Sequence, residues 1–303
     1  MRRRLYTAWL YGATLLVVCA TALIGSRPVS GQTPVPATAQ DTIYKVRLLD
    51  GSTLYGRLEN RTDTTFTLVT SNGVRVSIAQ PQVRQMAPAE GRIVEGEYWA
   101  PDPNPSRLFF APTARSIGNG SGYVGVFMIG LPFVAVGVTD RVTLAAGAPV
   151  LFGMVDPFYI APKIELISTS KFSVAAGVLS LITLRDVTDD DWETIGIMYG
   201  VTTVGSTDQA LTAGLGYGYA GDDISGQPAI MIGGETRASR RIKLISENYF
   251  VAGETGAILT GGIRYVGDRF TSDVGILGAL AGGESFCCIP LVNFSYTFGP
   301  RRQ

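Results

Sequence analysis

From residue 122 to residue 299 one pattern recurs: short runs, apolar at alternate positions, separated by turn-forming residues. The last run is the clearest. Leu291-Val292-Asn293-Phe294-Ser295-Tyr296-Thr297-Phe298 alternates with period two. As a strand it places Val292, Phe294, Tyr296 and Phe298 on one face and Leu291, Asn293, Ser295 and Thr297 on the other. In a soluble sandwich the greasy face turns into a core. In a membrane barrel it meets lipid, and the polar face lines the lumen.

Twelve candidate strands lie near 122–130, 133–140, 142–150, 157–168, 172–184, 194–206, 209–221, 228–239, 242–253, 256–267, 271–282 and 291–299. Leu211, Ala213, Leu215, Tyr217 and Tyr219 oppose Thr212, Gly214, Gly216 and Gly218. Ile160, Pro162, Ile164 and Leu166 oppose Tyr159, Ala161, Lys163 and Glu165. Ile195, Ile197, Tyr199 and Val201 oppose Gly196, Met198 and Gly200, with the aliphatic set again expected outward. The first, second and eleventh runs alternate poorly. With both barrel ends on one side, every second connection should be short. Those are Thr139–Arg141, Ser168–Lys171, Ser206–Asp208, Ser239–Arg241 and Gly267–Asp273. The others include longer candidates at Asp186–Glu193, Asp222–Gln227 and Gly282–Pro290. The face opposite the aliphatic one is mostly Gly, Ala, Ser and Thr. A soluble sandwich would carry Lys, Glu and Asp there, so a membrane barrel is favoured over a soluble barrel with a packed interior.

What precedes the array supports this. Met1-Arg2-Arg3-Arg4 followed by apolar Leu5–Gly25 and small Val29-Ser30-Gly31 reads as an export signal over 1–31, with an uncut anchor as the alternative. No other run has the ~20 uninterrupted apolar residues of a membrane helix. Residues 32–41 read as a disordered leader. Over 42–86 come five short strands with turns at Asp50-Gly51-Ser52 and Ser71-Asn72-Gly73. The stretch VRLLDGSTLYGRLENRTDTTFTLVTSNGVRVSIAQPQVRQM resembles the SH3- or Sm-like small β-barrels, a likeness that implies a peptide-binding, oligomerising or spacer module. Residues 87–121, with prolines at 88, 101, 103, 105 and 112 and the aromatic run around Phe109 and Phe110, form a linker. It reads as a hydrophobic strap between two domains, with a plug in the lumen as the sharper alternative.

Composition excludes several chemistries. The chain has no histidine, which removes Ser-His-Asp and Cys-His catalysis and His-based zinc sites. Net charge is zero with 17 % charged residues, so the basic stripe of a nucleic-acid surface is missing. We expect no enzymatic activity, no metal and no cofactor. The acidic loop Asp186–Glu193 lacks the spacing of a calcium loop and reads as solvated. Adjacent Cys287 and Cys288 are either a vicinal disulfide or two separate thiols.

The charges on the inward face are Lys163 and Glu165 on the fourth strand, Glu235 and Arg237 on the eighth, Lys243 and Glu247 on the ninth, and Arg264 on the tenth. All seven fall in the short-turn half. The plainer reading is a self-neutralising ion-pair cluster, since an unpaired buried charge is costly. The functional one is a charged constriction in a pore.

The export signal, the array over 122–299 and the terminal LVNFSYTF resemble bacterial outer-membrane β-barrel proteins, porin-like in type. That resemblance implies outer-membrane lipid as surroundings and a barrel-assembly machinery that reads a terminal aromatic, here Phe298, displaced by the tail that ends in 300–303. It also places residues 42–86 in the periplasm. The expected fold is therefore all-β, an antiparallel transmembrane barrel of about 12 strands preceded by a small SH3- or Sm-like β-barrel. The expected function is a small-solute pore with a charged constriction on the periplasmic side. The alternative is a non-conducting anchor or surface-binding barrel, with a periplasmic protein partner recruited through 42–86.

Overall fold

The computed structural model describes residues 42–150, 157–184, 192–252, 256–281 and 284–300. The export signal, the leader, Cys19, the acidic loop up to Asp191 and the last three residues of the tail lie outside them.

The first element is a five-stranded antiparallel sheet: β1 (Ile43–Leu48), β2 (Thr53–Arg61), β3 (Thr65–Thr70), β4 (Arg75–Ala79) and β5 (Val83–Pro88), in the order β4-β3-β2-β1-β5. Its turns follow local chemistry. Gly51 and Gly73 take positive φ. The Asp50 carboxylate accepts from the Ser52 hydroxyl (2.7 Å) and amide (2.8 Å), and these bonds hold it below its usual range. Val46, Phe66, Leu68 and Ile78 form a buried core. The small barrel expected here is left open: β4 and β5 are opposite edges and do not pair among the described residues. Between them the chain makes a 3-10 turn at Gln80–Gln82, where Pro81 has no N–H to donate. Leu68 is fully buried, so Leu68→Ala should destabilise this sheet by ~2–5 kcal/mol. Limited proteolysis would then cleave within 43–88 while the rest of the chain stays protected.

A short hairpin, β6 (Arg92–Val94) and β7 (Glu97–Trp99), joins this sheet to the next element, with Tyr98 stacked on Tyr55 at 4.0 Å between centroids.

Twelve strands then close into an antiparallel barrel. They are β8 (Gly122–Phe127), β9 (Leu131–Gly137), β10 (Val142–Gly147), β11 (Phe158–Ser168), β12 (Phe172–Leu184), β13 (Trp192–Gly205), β14 (Gln209–Ala220), β15 (Asp223–Arg237), β16 (Ile242–Val251), β17 (Ala257–Val266), β18 (Phe270–Ala281) and β19 (Glu284–Phe298). The terminal strand closes the ring on β8, pairing Asn293 with Phe127 through to Phe298 with Gly122. Leu291, Asn293 and Ser295 are buried, while Phe294 and Tyr296 are exposed. The outside of the barrel is apolar, with Leu144, Ile164, Leu211, Ile232, Leu244, Ile263 and Val274 all on its outer surface, and at β19 the inside is largely polar.

Three expectations are corrected. Asp222–Gln227 is not a loop: Gly221, at φ +56, opens a two-residue turn and β15 begins at Asp223. Glu284–Pro290 is strand as well, part of β19, and its Cys287 and Cys288 sulfurs are bonded to each other. On β13 the aliphatic face points inward: Val201 is buried while Met198 is exposed. Here the interior is apolar, so hydrophobicity does not mark the outside. The same holds on β8 and β9, where Tyr123 and Phe133 are buried and Val124 and Val134 exposed. Apolar residues on both faces are why these two strands alternate poorly in the sequence.

The short-turn end of the barrel carries the contacts to the N-terminal part, through Lys45–Asp268 (3.5 Å) and Arg92–Asp208 (2.9 Å).

Candidate functional site

The segment between β7 and β8 runs inside the barrel as a plug rather than between domains as a strap. Asp102, Asn104, Ser106, Arg107, Leu108, Phe109, Thr113 and Ala114 are all buried. Its centre is a tight hairpin in which Arg107 pairs with Pro112, and the amides of Leu108 and Thr113 donate to the carbonyls of Ala111 and Ser106. Proline and aromatic residues fit this role, because the segment pairs with no sheet and packs ring against wall. Leu108, Phe109, Ala111 and Ala114 form one cluster with Ala175, Val201, Met231 and Ile245 of the wall. Two wall glycines make room for the tip. A Cβ on Gly233 would lie 2.3 Å from Leu108, and one on Gly275 would lie 3.2 Å from the Phe109 ring.

A hairpin in a barrel must find partners for its backbone. The wall charges supply them. Glu247 of β16 accepts the amides of Phe109 (2.8 Å), Phe110 (3.0 Å) and Ala111 (3.1 Å), and the Tyr249 hydroxyl (2.6 Å). Arg264 of β17 donates to the carbonyls of Asn104 (3.0 Å), Arg107 (3.2 Å) and Leu108 (2.5 Å). Lys163 of β11 donates to those of Thr113 (2.8 Å) and Arg115 (2.7 Å). Glu165 accepts the Ser116 amide at 3.1 Å. Lys243 bridges Asp102 of the plug (2.5 Å) and Glu235 of the wall (3.0 Å). Glu235 also takes Arg115 at 2.7 Å. Arg237 holds the Ala100 carbonyl at 3.1 Å and lies over the Trp99 ring, with Asp208 as its acid. All seven residues singled out in the sequence are thus buried on the inner wall, and each meets the plug or the segment leading to it. Glu247 sits at mid-strand rather than at the short-turn end.

Four further charges belong to this belt. Asp273 of β18 binds Arg264 at 2.6 Å and Arg107 at 2.9 Å. Asp102, Arg107 and Arg115 come from the plug. The sequence held one sign of Asp273, because the seven wall charges comprise four bases and three acids. With Asp273 the wall balances, four against four.

The hairpin divides the lumen. On the short-turn side lies a polar cavity of about 370 Å³, lined by residues such as Asp102, Arg115, Ser170 and Thr207. On the other side lies an apolar one of about 360 Å³, lined by Phe127, Phe133, Tyr159, Tyr199 and Met231 among others. Ser106 and Tyr123 line both, and their hydroxyls are hydrogen bonded at 3.2 Å. The two cavities therefore abut at the Ser106–Tyr123 contact, with Arg107, Phe110, Ala111 and Pro112 of the hairpin lining the apolar one. Among the described residues no group of three or more potential metal ligands forms.

No family model matches this chain, and no curated protein matches it. Solved structures align with it loosely. OmpT of Vibrio cholerae, described as outer-membrane expressed, is 12 % identical over 84 % of this chain and 93 % of its own, with a TM-score of 0.34. OccK11 of Pseudomonas aeruginosa is 10 % identical over the same two shares, with a TM-score of 0.34. The outer membrane channel DcaP of Acinetobacter baumannii is 14 % identical over 88 % of this chain and 82 % of its own, with a TM-score of 0.31. Superpositions this loose fix neither strand number nor function. The functional reading rests on the chain's own residues.

Proposed function

We propose that this chain is a bacterial outer-membrane β-barrel that carries its own plug, a small-solute pore that opens when the Arg107–Pro112 hairpin leaves the charged belt. The observation that carries this is that the cavities on the two sides of the plug abut where Ser106 and Tyr123 line both, next to the hairpin. The wall's inward charges balance without the hairpin, so its departure strands no net charge and leaves a mixed-charge constriction that water can solvate. The apolar exterior suits lipid, and the exposed aromatics of β19 suit recognition by an assembly machinery. The N-terminal sheet, set at the short-turn end, then faces the periplasm. In this reading the five-stranded sheet β4-β3-β2-β1-β5 is the part that binds a periplasmic protein. We assign the chain no catalytic role.

Planar-bilayer recording tests the pore. The wild type should be silent or conduct rarely, and deletion of residues 104–113 should give stepwise conductance. Heat-modifiable migration of the deletion variant confirms that its barrel is folded. A folded but silent deletion variant would leave the barrel as an anchor, with the N-terminal sheet as its working part. Recovery of the wild type in the soluble periplasmic fraction would overturn the membrane placement itself.

A further inference from the structure

The apolar cavity is a built chamber, and the pore reading gives it no work. Tyr123, Phe127, Phe133, Tyr159, Tyr199 and Met231 surround it from five strands, and Phe110 of the plug forms part of its floor. The aromatic wall is fixed in place. Phe127 and Phe133 stack at 4.0 Å between centroids, and Tyr123 meets Phe133 edge-on at 5.7 Å. Glycines seat the two tyrosines: a Cβ on Gly147 would come within 2.6 Å of the Tyr159 ring, and one on Gly177 within 2.5 Å of the Tyr199 hydroxyl.

The polar groups around the chamber divide in two. Its cations are already committed. Lys163 is spent on plug carbonyls, and Arg107 is spent through Nη1 on Asp273 and on the carbonyls of Leu108 and Phe109, which leaves its Nε–H without an acceptor. Arg107 also lies over the Phe127 ring at 5.2 Å. The hydroxyls of Tyr159 and Tyr199, by contrast, have no hydrogen-bond partner among the described residues. An anion would find only a guanidinium whose charge Asp273 already neutralises, whereas an oxygen on a neutral molecule would find a hydroxyl or the Arg107 Nε–H.

Size narrows the ligand further. A cavity of ~150 Å³ holds benzene and stays dry otherwise, so about 360 Å³ suits a molecule of roughly a dozen heavy atoms. The route is also indicated. β8, β9 and β10 have only six, seven and six residues, against ten or more in every other barrel strand. A spanning strand needs ~9–11, so among the described residues the chamber stands beside the shortest strands of the wall. If the barrel lies in a membrane, as proposed above, a lipophile reaches it there without passing the charged belt.

We propose that this chamber binds one small, uncharged lipophile of bicyclic aromatic size that carries a single hydrogen-bonding oxygen. Titration calorimetry of the full-length protein in amphipol, with 1-naphthol as probe, tests this. Binding should be saturable with one site. Ala161→Phe and Ala229→Phe, which fill the chamber from two different strands, should each weaken it at least tenfold while the barrel remains heat-modifiable. Tyr199→Phe should weaken 1-naphthol severalfold and leave naphthalene unchanged. The anion 1-naphthoate should bind at least tenfold more weakly than 1-naphthol. A folded wild type without saturable binding, unchanged affinity in both filled variants, or naphthoate binding as tightly as naphthol would each overturn the proposal. Calorimetry reads the folded barrel whether or not it conducts, so failure of the pore reading is seen separately.

Discussion

Glu247→Ala should release the plug. In the wild type one carboxylate takes three consecutive amides at the hairpin tip, those of Phe109, Phe110 and Ala111, and holds the Tyr249 hydroxyl as well. A methyl group in its place leaves three donors without an acceptor. Each buried unsatisfied donor costs ~1–3 kcal/mol. Even if water entering the lumen recovers most of this, roughly 3 kcal/mol remains, which is about a hundredfold in the closed-to-open ratio. Hydrogen–deuterium exchange would show it as amides of 104–113 exchanging at least a hundredfold faster, with β11–β19 unchanged. Glu247→Gln keeps one carbonyl oxygen as acceptor, so it should accelerate exchange by only about tenfold. A charge mechanism alone would give the two variants equal effects, since both remove the same negative charge. Wild-type protection in Glu247→Ala would mean that the tip is held by the packing of Leu108 and Phe109 instead.

The barrel was legible in the sequence wherever its two surfaces meet different media. β14 alternates because Leu211 and Leu215 face outward while Thr212 faces the interior. β19 alternates for the same reason, and its pairing with β8 follows. Legibility failed where the interior is apolar. Around the aromatic chamber Tyr123 and Phe133 point in and Val124 and Val134 point out, so period two vanishes from hydrophobicity although the strands are regular. On β13 the pattern survived but its sense was reversed. The plug was hidden for a different reason. Arg107, Arg115 and Asp102 look like linker charges until the barrel surrounds them, and nothing local in their stretch names Glu247 or Arg264 as partners. The wall residues were visible because an inward charge on a strand stands out among Gly, Ala, Ser and Thr. What they hold lies as many as 160 residues away along the chain, and no short-range pattern encodes that.

Arg264→Ala should be the most damaging single change in the belt, and comparing it across two backgrounds shows why. The guanidinium forms a fork on Asp273 (2.6 and 3.1 Å) and donates to three plug carbonyls, those of Asn104, Arg107 and Leu108. Removing one member of a buried ionic network costs ~3–5 kcal/mol, and here Asp273 would keep only Arg107 and a distant Asn293 amide. Arg264→Lys retains a charge but not the planar fork, so it should recover less than half of the loss. The readout is the temperature at which the heat-modifiable band converts. In the full chain Arg264→Ala should lower it well below that of Glu247→Ala, because wall and plug are both affected. With residues 104–113 deleted, water reaches Asp273 and the carbonyls are gone, so the same substitution should cost less than about 1 kcal/mol, the range of a solvated ion pair. An equal penalty in both backgrounds would make Arg264 a staple between β17 and β18. A penalty that depends on the hairpin makes it the residue through which the plug and the barrel stabilise each other.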